Sequence, residues 1–214
     1  GWATYGQPTW GFVKFGHTRP DTSNSGLLTI LLITYDYFDK SSGLSEQDVL
    51  SDDYNRWLQG LAREVEVGNS TGTFMEQLIA FGPSKFDMVA VYEATAIAQV
   101  GNAAGRYGAL GIYYPPATVS SDHPFCVLAA PWVTAEKAEA AQKFVDFLLS
   151  RPVQEQALEL GFRPADATIS LTGGNTPFDK LAQNGIQTNL PPEVEVPPGN
   201  ILLALIRAWE RSSR

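Results

Sequence analysis

Residues 12–33 constrain the fold more tightly than any other stretch of the sequence. Phe12-Val-Lys-Phe-Gly-His17 runs as an apolar-leaning strand. A polar turn follows, Thr-Arg-Pro-Asp-Thr-Ser-Asn-Ser25, then Gly26 and the apolar run Leu27 to Ile33. Strand, hydroxyl-rich turn and helix start is how an α/β protein builds a polar pocket. Backbone N–H groups of a first helical turn have no intrahelical acceptor, and the helix dipole adds positive potential there. The pattern recurs in Glu64-Val-Glu-Val-Gly-Asn-Ser-Thr-Gly-Thr-Phe74, with a helix from about Thr71. Ser, Thr and Asn cap helices of every kind, so one such loop is also what ordinary capping produces. Two of them in a parallel sheet direct attention to the carboxyl ends of the strands, where open α/β sheets take their ligands.

The rest of the chain extends the alternation. Helices are predicted over Ser25 to Phe38, over Asp48 to Arg63 with Tyr54, Trp57, Leu58 and Leu61 at helical spacing, and over Thr71 to Phe81 with Phe74, Met75, Leu78 and Ile79 on one side. Gly82-Pro83-Ser84 stops the last of these. Val65 to Val67 reads as a short strand, Phe86 to Tyr92 as a buried parallel strand, and Leu110 to Tyr114 and Phe125 to Ala129 as two more. An alanine-rich helix from Glu93 to about Ala104 follows the third strand. Thr134 caps a long helix whose predicted buried face is Ala138, Ala141, Phe144, Val145 and Leu148. Pro152 suits the first turn of the next helix, which ends at Gly161. Residues 163–198 read as loops, and Gly199 to Arg211 as a terminal helix with Leu202, Leu205, Ile206 and Trp209 facing in. The expected class is α/β, a mainly parallel sheet with helices on both faces.

Composition sets limits on function. The 214 residues are 44% hydrophobic and 18% charged, which is the balance of a folded protein. A net charge of −8, with basic residues such as Arg207, Arg211 and Arg214 only scattered, argues against a nucleic-acid partner. The single cysteine, Cys126, has no internal disulfide partner and reads as a small buried hydrophobe. No apolar run is long enough to span a membrane, and no leader opens the sequence, so any export signal is expected to have been removed or to lie outside it. Sequence patterns for a nucleophile elbow, a Walker loop or a Rossmann glycine fingerprint do not occur. His17 and His123 are far apart, without metal spacing. His17 is expected to help line the pocket beside the first loop, and His123 to be structural.

Several of these segments together resemble a known family. They are the Ser23-Asn-Ser25-Gly loop, the second hydroxyl loop, a strand ending in Tyr92-Glu93, and the strand Pro124-Phe-Cys-Val-Leu-Ala-Ala-Pro131. The most specific part is the helix pair from Ala135, with Phe-Leu-Leu-Ser150 leading to Gly161-Phe-Arg-Pro164. The chain resembles bacterial extracellular solute-binding proteins of ABC transporters, in the molybdate/sulfate-like class, including solute-binding regions joined to von Willebrand factor A domains. The resemblance covers about Trp10 to Pro164. It implies an α/β ligand-binding lobe over 10–131, a helical and loop segment over 132–214 that packs on or returns from it, and an incomplete first lobe. It also implies an extracytoplasmic, non-enzymatic binder of a small polar solute, without cofactor, partnered by a membrane permease or a linked domain.

Site residues carried over on matching positions are Ser23, Asn24 and Ser25 at the first loop, Ser70 and Thr71 at the second, and Tyr92 and Glu93 at the strand end. Glu93 departs from an oxyanion site, because a carboxylate repels an anion and favours an amino-bearing or cationic ligand. The alternative is a von Willebrand factor A-like adhesion domain. Asp21-x-Ser23-x-Ser25 fits its metal-ion-dependent adhesion site, with hard oxygen ligands for Mg²⁺. Arg19-Pro20 between strand and aspartate speaks against that reading.

Overall fold

A computed structural model describes residues 1–213, with Glu64 described in its backbone alone; Arg214 of the scattered basic residues lies outside the described set. The chain forms two compact units. One comprises 1–119 with 190–214, and the other 120–189.

The first unit is built on a parallel sheet of β1 (Phe15–Thr18), β2 (Val65–Gly68) and β3 (Met88–Val89), in the order β2-β1-β3. Thr18 pairs with Gly68 and Gly16 with Val89, so all three strands end at the same edge. Successive side chains of β1 point to opposite faces. On one face His17 meets Trp209, with ring centroids 4.8 Å apart. On the other, Gly16 lies so close to Phe74 and Phe86 that an added Cβ would stand 2.9 Å from either ring. Helices therefore cover both faces, as the β–α alternation implies. α1 (Asn24–Tyr37), α2 (Glu46–Leu50), α3 (Asp52–Glu64) and α9 (Gly199–Ser212) close one core around Leu31, Tyr54, Leu205 and Trp209. α4 (Thr71–Phe81) closes the other with Phe74, Met75 and Phe86, and α5 (Glu93–Val100) packs on α4.

Local chemistry explains the boundaries. The predicted single helix over 48–63 is instead α2 and α3. Ser45 and Asp48 form a reciprocal capping box that starts α2, and Ser51, extended at ψ 140°, ends it and precedes α3. The predicted strand 86–92 contributes only Met88–Val89 to the ladder. It runs beside β1 from the Lys14 carbonyl, which accepts from the Asp87 N–H at 2.9 Å, to the Gly16 carbonyl, which accepts from the Ala90 N–H at 2.9 Å. α9 buries Ile201, Ala204, Leu205, Ala208 and Trp209, while Leu202 and Ile206 are only half-buried, so its inward face is turned slightly from the one expected.

Two predicted strands do not form. Leu110 to Tyr114 and Phe125 to Ala129 join no ladder among the described residues. Their apolar character is that of strands, but a strand exists only by pairing, and the adjoining prolines 115, 116 and 124 carry no N–H to donate.

The second unit holds α6 (Ala135–Leu148), α7 (Arg151–Glu159) and α8 (Pro177–Lys180) within loops. The Thr134 side chain accepts from the Lys137 N–H, as the sequence suggested. The predicted buried face of α6 is corrected, since no residue of α6 is buried and Phe144 is half exposed. Cys126 is likewise exposed, not buried. The loops are tied by Arg163, which lies over the Phe178 ring at 5.0 Å and donates to the Thr188 carbonyl at 2.7 Å.

Candidate functional site

Parallel pairing brings the loops that follow β1, β2 and β3 to one edge of the sheet, and α1, α4 and α5 start from them. The chain leaves β1 for β2 on one side and then crosses to β3 on the other. Its helices lie on opposite faces as a result: α1 in the core with α9, α5 against α4. Between the ends of β1 and β3 the two loops therefore diverge. That divergence is the switch point at which open parallel sheets leave a crevice.

On the β1 side, the Ser23 N–H donates to the Arg19 carbonyl at 2.9 Å, and the Arg19 N–H donates to the Gly68 carbonyl at 2.8 Å, anchoring the loop to β2. Gly26 follows because nothing larger fits: a Cβ there would stand 2.2 Å from the Thr18 carbonyl oxygen. Thr18, fully buried, shares a hydrogen bond with the Ser25 hydroxyl at 2.6 Å, and Ser25 shares one with Ser23 at 3.1 Å. The side chains of the N-cap residues Ser23 and Ser70 accept no capping hydrogen bond from backbone N–H groups of the turns they precede, although both are good capping types.

On the β3 side, Tyr92 precedes α5 and Glu93 is its first residue. The Asn24 amide donates to the Tyr92 hydroxyl at 3.2 Å, across the divergence of the two loops. The Tyr114 hydroxyl donates to the Glu93 carboxylate, which is partly buried. Hydrogen bonds thus link Ser23 with Ser25 and Asn24 with Tyr92, and Glu93 is next in sequence. Ser70 and Thr71 follow β2, on the far side of β1 from the crevice, at the same sheet edge.

Sequence reasoning missed Thr18 and Tyr114. Thr18 was detectable as the residue closing the strand before the loop. Tyr114 was not, because its partner is 21 positions away and no local pattern links them. His17, expected to line the pocket, is instead fully buried within the core, against Trp209 of α9. Burial holds its pKa below the usual histidine value, opposed by the bond between Nδ1 and the Thr18 carbonyl.

Asp21 is committed to a different partner from the two serines. The Arg19 guanidinium grips it at both oxygens, at 3.0 and 2.5 Å, and this bond lowers the pKa of the Asp21 carboxyl. The adhesion reading needs that carboxylate beside Ser23 and Ser25, so it gains no support. Among the described residues, no group of three or more His, Cys, Asp or Glu side chains is placed to hold a metal ion.

A switch point flanked by helix starts and hydroxyl loops is where α/β domains take small ligands. The chain belongs to the family described as bacterial extracellular solute-binding protein, whose model matches residues 2–180. No curated protein and no solved structure shows significant similarity to it. No helix among the described residues is long and apolar enough to cross a membrane.

Proposed function

We propose that this domain captures a small polar solute, without chemistry, in the crevice between the ends of β1 and β3, and delivers it to a permease or reports it to a linked domain. Periplasmic or surface-anchored placement goes with this role. The observation that carries the reading is the divergence of the β1 and β3 loops at the sheet's carboxyl edge, with Asn24 and Tyr92 facing each other across it. The start of α1 directs the positive end of a helix dipole toward this edge, and the Ser23 side chain makes no cap bond to it. Ser23 and Asn24 supply side-chain polarity, Tyr92 a wall, and Glu93 a carboxylate oriented by Tyr114. Ser25 braces the loop through Thr18. Ser70 and Thr71 extend the polar edge for a larger solute.

Glu93 shapes the choice of solute. A carboxylate favours amino groups or hydroxyl donors and opposes oxyanions, which weighs against molybdate or sulfate as the cargo despite the resemblance to that class. The test is a thermal-shift series with sulfate, molybdate, neutral sugars, amino acids and diamines, followed by calorimetry on any solute that raises the melting temperature. The proposal expects a bound solute whose affinity falls in Asn24→Ala and Glu93→Gln without comparable loss of stability. Variants that lose stability and keep affinity would place the solute elsewhere.

A further inference from the structure

His17 is a titratable group for which solute binding has no use. It is fully buried on β1, facing α9. Its Nδ1 is bonded to the Thr18 carbonyl at 2.7 Å, and its Nε2 is buried with no hydrogen-bond partner. The ring packs edge to face on Trp209, 4.8 Å away, and near Phe15 at 5.7 Å. Trp209 lies in the last third of α9, a helix that returns to this unit from residue 190 onward and contributes Ile201, Ala204, Leu205 and Ala208 to the core with α1, α2 and α3.

We infer that His17 is an acid-operated latch on α9: a proton on Nε2 expels the ring from behind Trp209 and releases the Gly199–Ser212 helix while the α4 core stays folded.

The argument is one of unmet hydrogen bonding. A neutral imidazole with the proton on Nδ1 satisfies the Thr18 carbonyl and leaves Nε2 as a bare acceptor, a tolerable loss. A second proton makes Nε2 a charged donor in an apolar enclosure. Burying a charge without an acceptor is far costlier, and the attraction of a cation for the Trp209 ring is small beside it. Among the described residues, no charged side chain compensates by a bond to Nε2. The charged residues with described side chains on the surrounding elements are Lys14 and Arg19 flanking β1, Glu66 on β2, Asp36 on α1, Glu46 and Asp48 on α2, Asp52, Asp53, Arg56 and Arg63 on α3, and Arg207, Glu210 and Arg211 on α9, and Tyr35 on α1 adds a buried titratable hydroxyl. None bonds to the ring. Arg19 is held by Asp21 and feels Glu210, Glu66 pairs with Lys85, and Arg211 donates to Asn55. Trp209 of α9 is the edge-to-face neighbour of the ring on this face, so outward movement of a charged ring displaces that helix. α4 packs on the other face of β1, in a separate core with Phe74, Met75, Leu78 and Phe86 to which α9 contributes no residue.

Hydrogen–deuterium exchange of the whole chain tests this, with rates corrected for the intrinsic effect of pH. From about pH 7.5 to about pH 5.5, amides of residues 199–212 should lose about tenfold or more of their protection, while those of 71–81 keep theirs. His17→Gln, which cannot take the charge, should abolish the difference. Unchanged protection of α9, simultaneous loss in α4, or a pH effect that survives in His17→Gln would overturn the latch. Should that variant not fold, the native chain still decides. It has two histidines, His17 and His123, so the ring resonances are readily assigned. A His17 ring that protonates while α9 keeps its protection overturns the proposal, and one that stays neutral until α9 opens supports it.

Discussion

The hydroxyl of Thr18, at the last position of β1, and that of Ser25, in the first turn of α1, lie 2.6 Å apart with both residues buried. The bond welds the strand end to the helix start and fixes the width of the loop between them. It also turns the Ser25 side chain inward, leaving Ser23 and Asn24 as the more accessible groups of the loop.

Ser25→Ala leaves the Thr18 hydroxyl buried without its partner. The expected cost is about 1–3 kcal/mol, the usual penalty for an orphaned buried polar group. Urea denaturation should show this as a lower midpoint at unchanged slope. Ser23→Ala, whose side chain caps nothing, should cost about 0.5 kcal/mol or less in stability. If Ser23→Ala proves the more destabilising of the two, the Thr18–Ser25 bond is not what holds the loop.

Gly26→Ala should be worse than either. The new methyl would lie 2.2 Å from the Thr18 carbonyl oxygen and 2.7 Å from the Arg19 carbonyl carbon, both backbone atoms that no rotamer change can move. A loss of about 3 kcal/mol or more is expected, at the upper end of overpacking costs. Gly60→Ala, inside α3 with open space around its Cβ, is the control and should stabilise by about 0.5–1 kcal/mol through helix propensity. Equal effects from the two substitutions would show that the close approach at Gly26 is relaxed in solution.

What could be read from the sequence divides along physical lines. α4 was legible to the residue, Thr71–Phe81, because its period, its Ser70 start and its Gly82-Pro83 stop all agree. β1 and α1 were legible within a few residues for the same reason. The strands at 110–114 and 125–129 were misread because local apolar patterning reports what a segment can bury, not whether a neighbour exists to pair with it. The buried face of α6 failed likewise: periodicity marks Phe144 and Val145 as apolar, but burial requires a second surface. At the crevice, the loop residues followed from strand–turn–helix order, whereas the Tyr114 contact to Glu93 and the Arg19 grip on Asp21 depend on side-chain placement that composition does not encode.

The second unit presents an apolar surface. Leu128, Trp132 and Phe147 are more than half exposed, and Phe125 and Phe144, 5.8 Å apart, are about half exposed. Patches of this kind promote association. Sedimentation velocity should show concentration-dependent self-association that Leu128→Lys with Phe147→Lys reduces at unchanged stability. A chain that stays monomeric at all concentrations, with or without the two lysines, would show the surface to be inert.

The alkaline limb of stability should report Tyr54. Its side chain is fully buried, and burial pushes its pKa up to about 12, against the opposing effect of the bond it shares with the Thr34 hydroxyl at 2.7 Å. Tyrosine is neutral when protonated, so a raised folded-state pKa means that the native chain holds a proton that the unfolded chain releases above about pH 10. Between about pH 10 and about pH 12 the unfolded state therefore binds fewer protons, and stability must fall as pH rises, by about 2–3 kcal/mol in total for this one group. Tyr54→Phe removes the titration. Thr34 keeps its bond to the Ile30 carbonyl at 2.5 Å, so the substitution orphans no hydroxyl and should cost about 1 kcal/mol at neutral pH. Urea midpoints of the two proteins should accordingly converge and then cross as pH rises above about 10, with the phenylalanine variant the more stable at the alkaline end. Parallel curves across that range would show that Tyr54 ionises as freely in the folded chain as in the unfolded one.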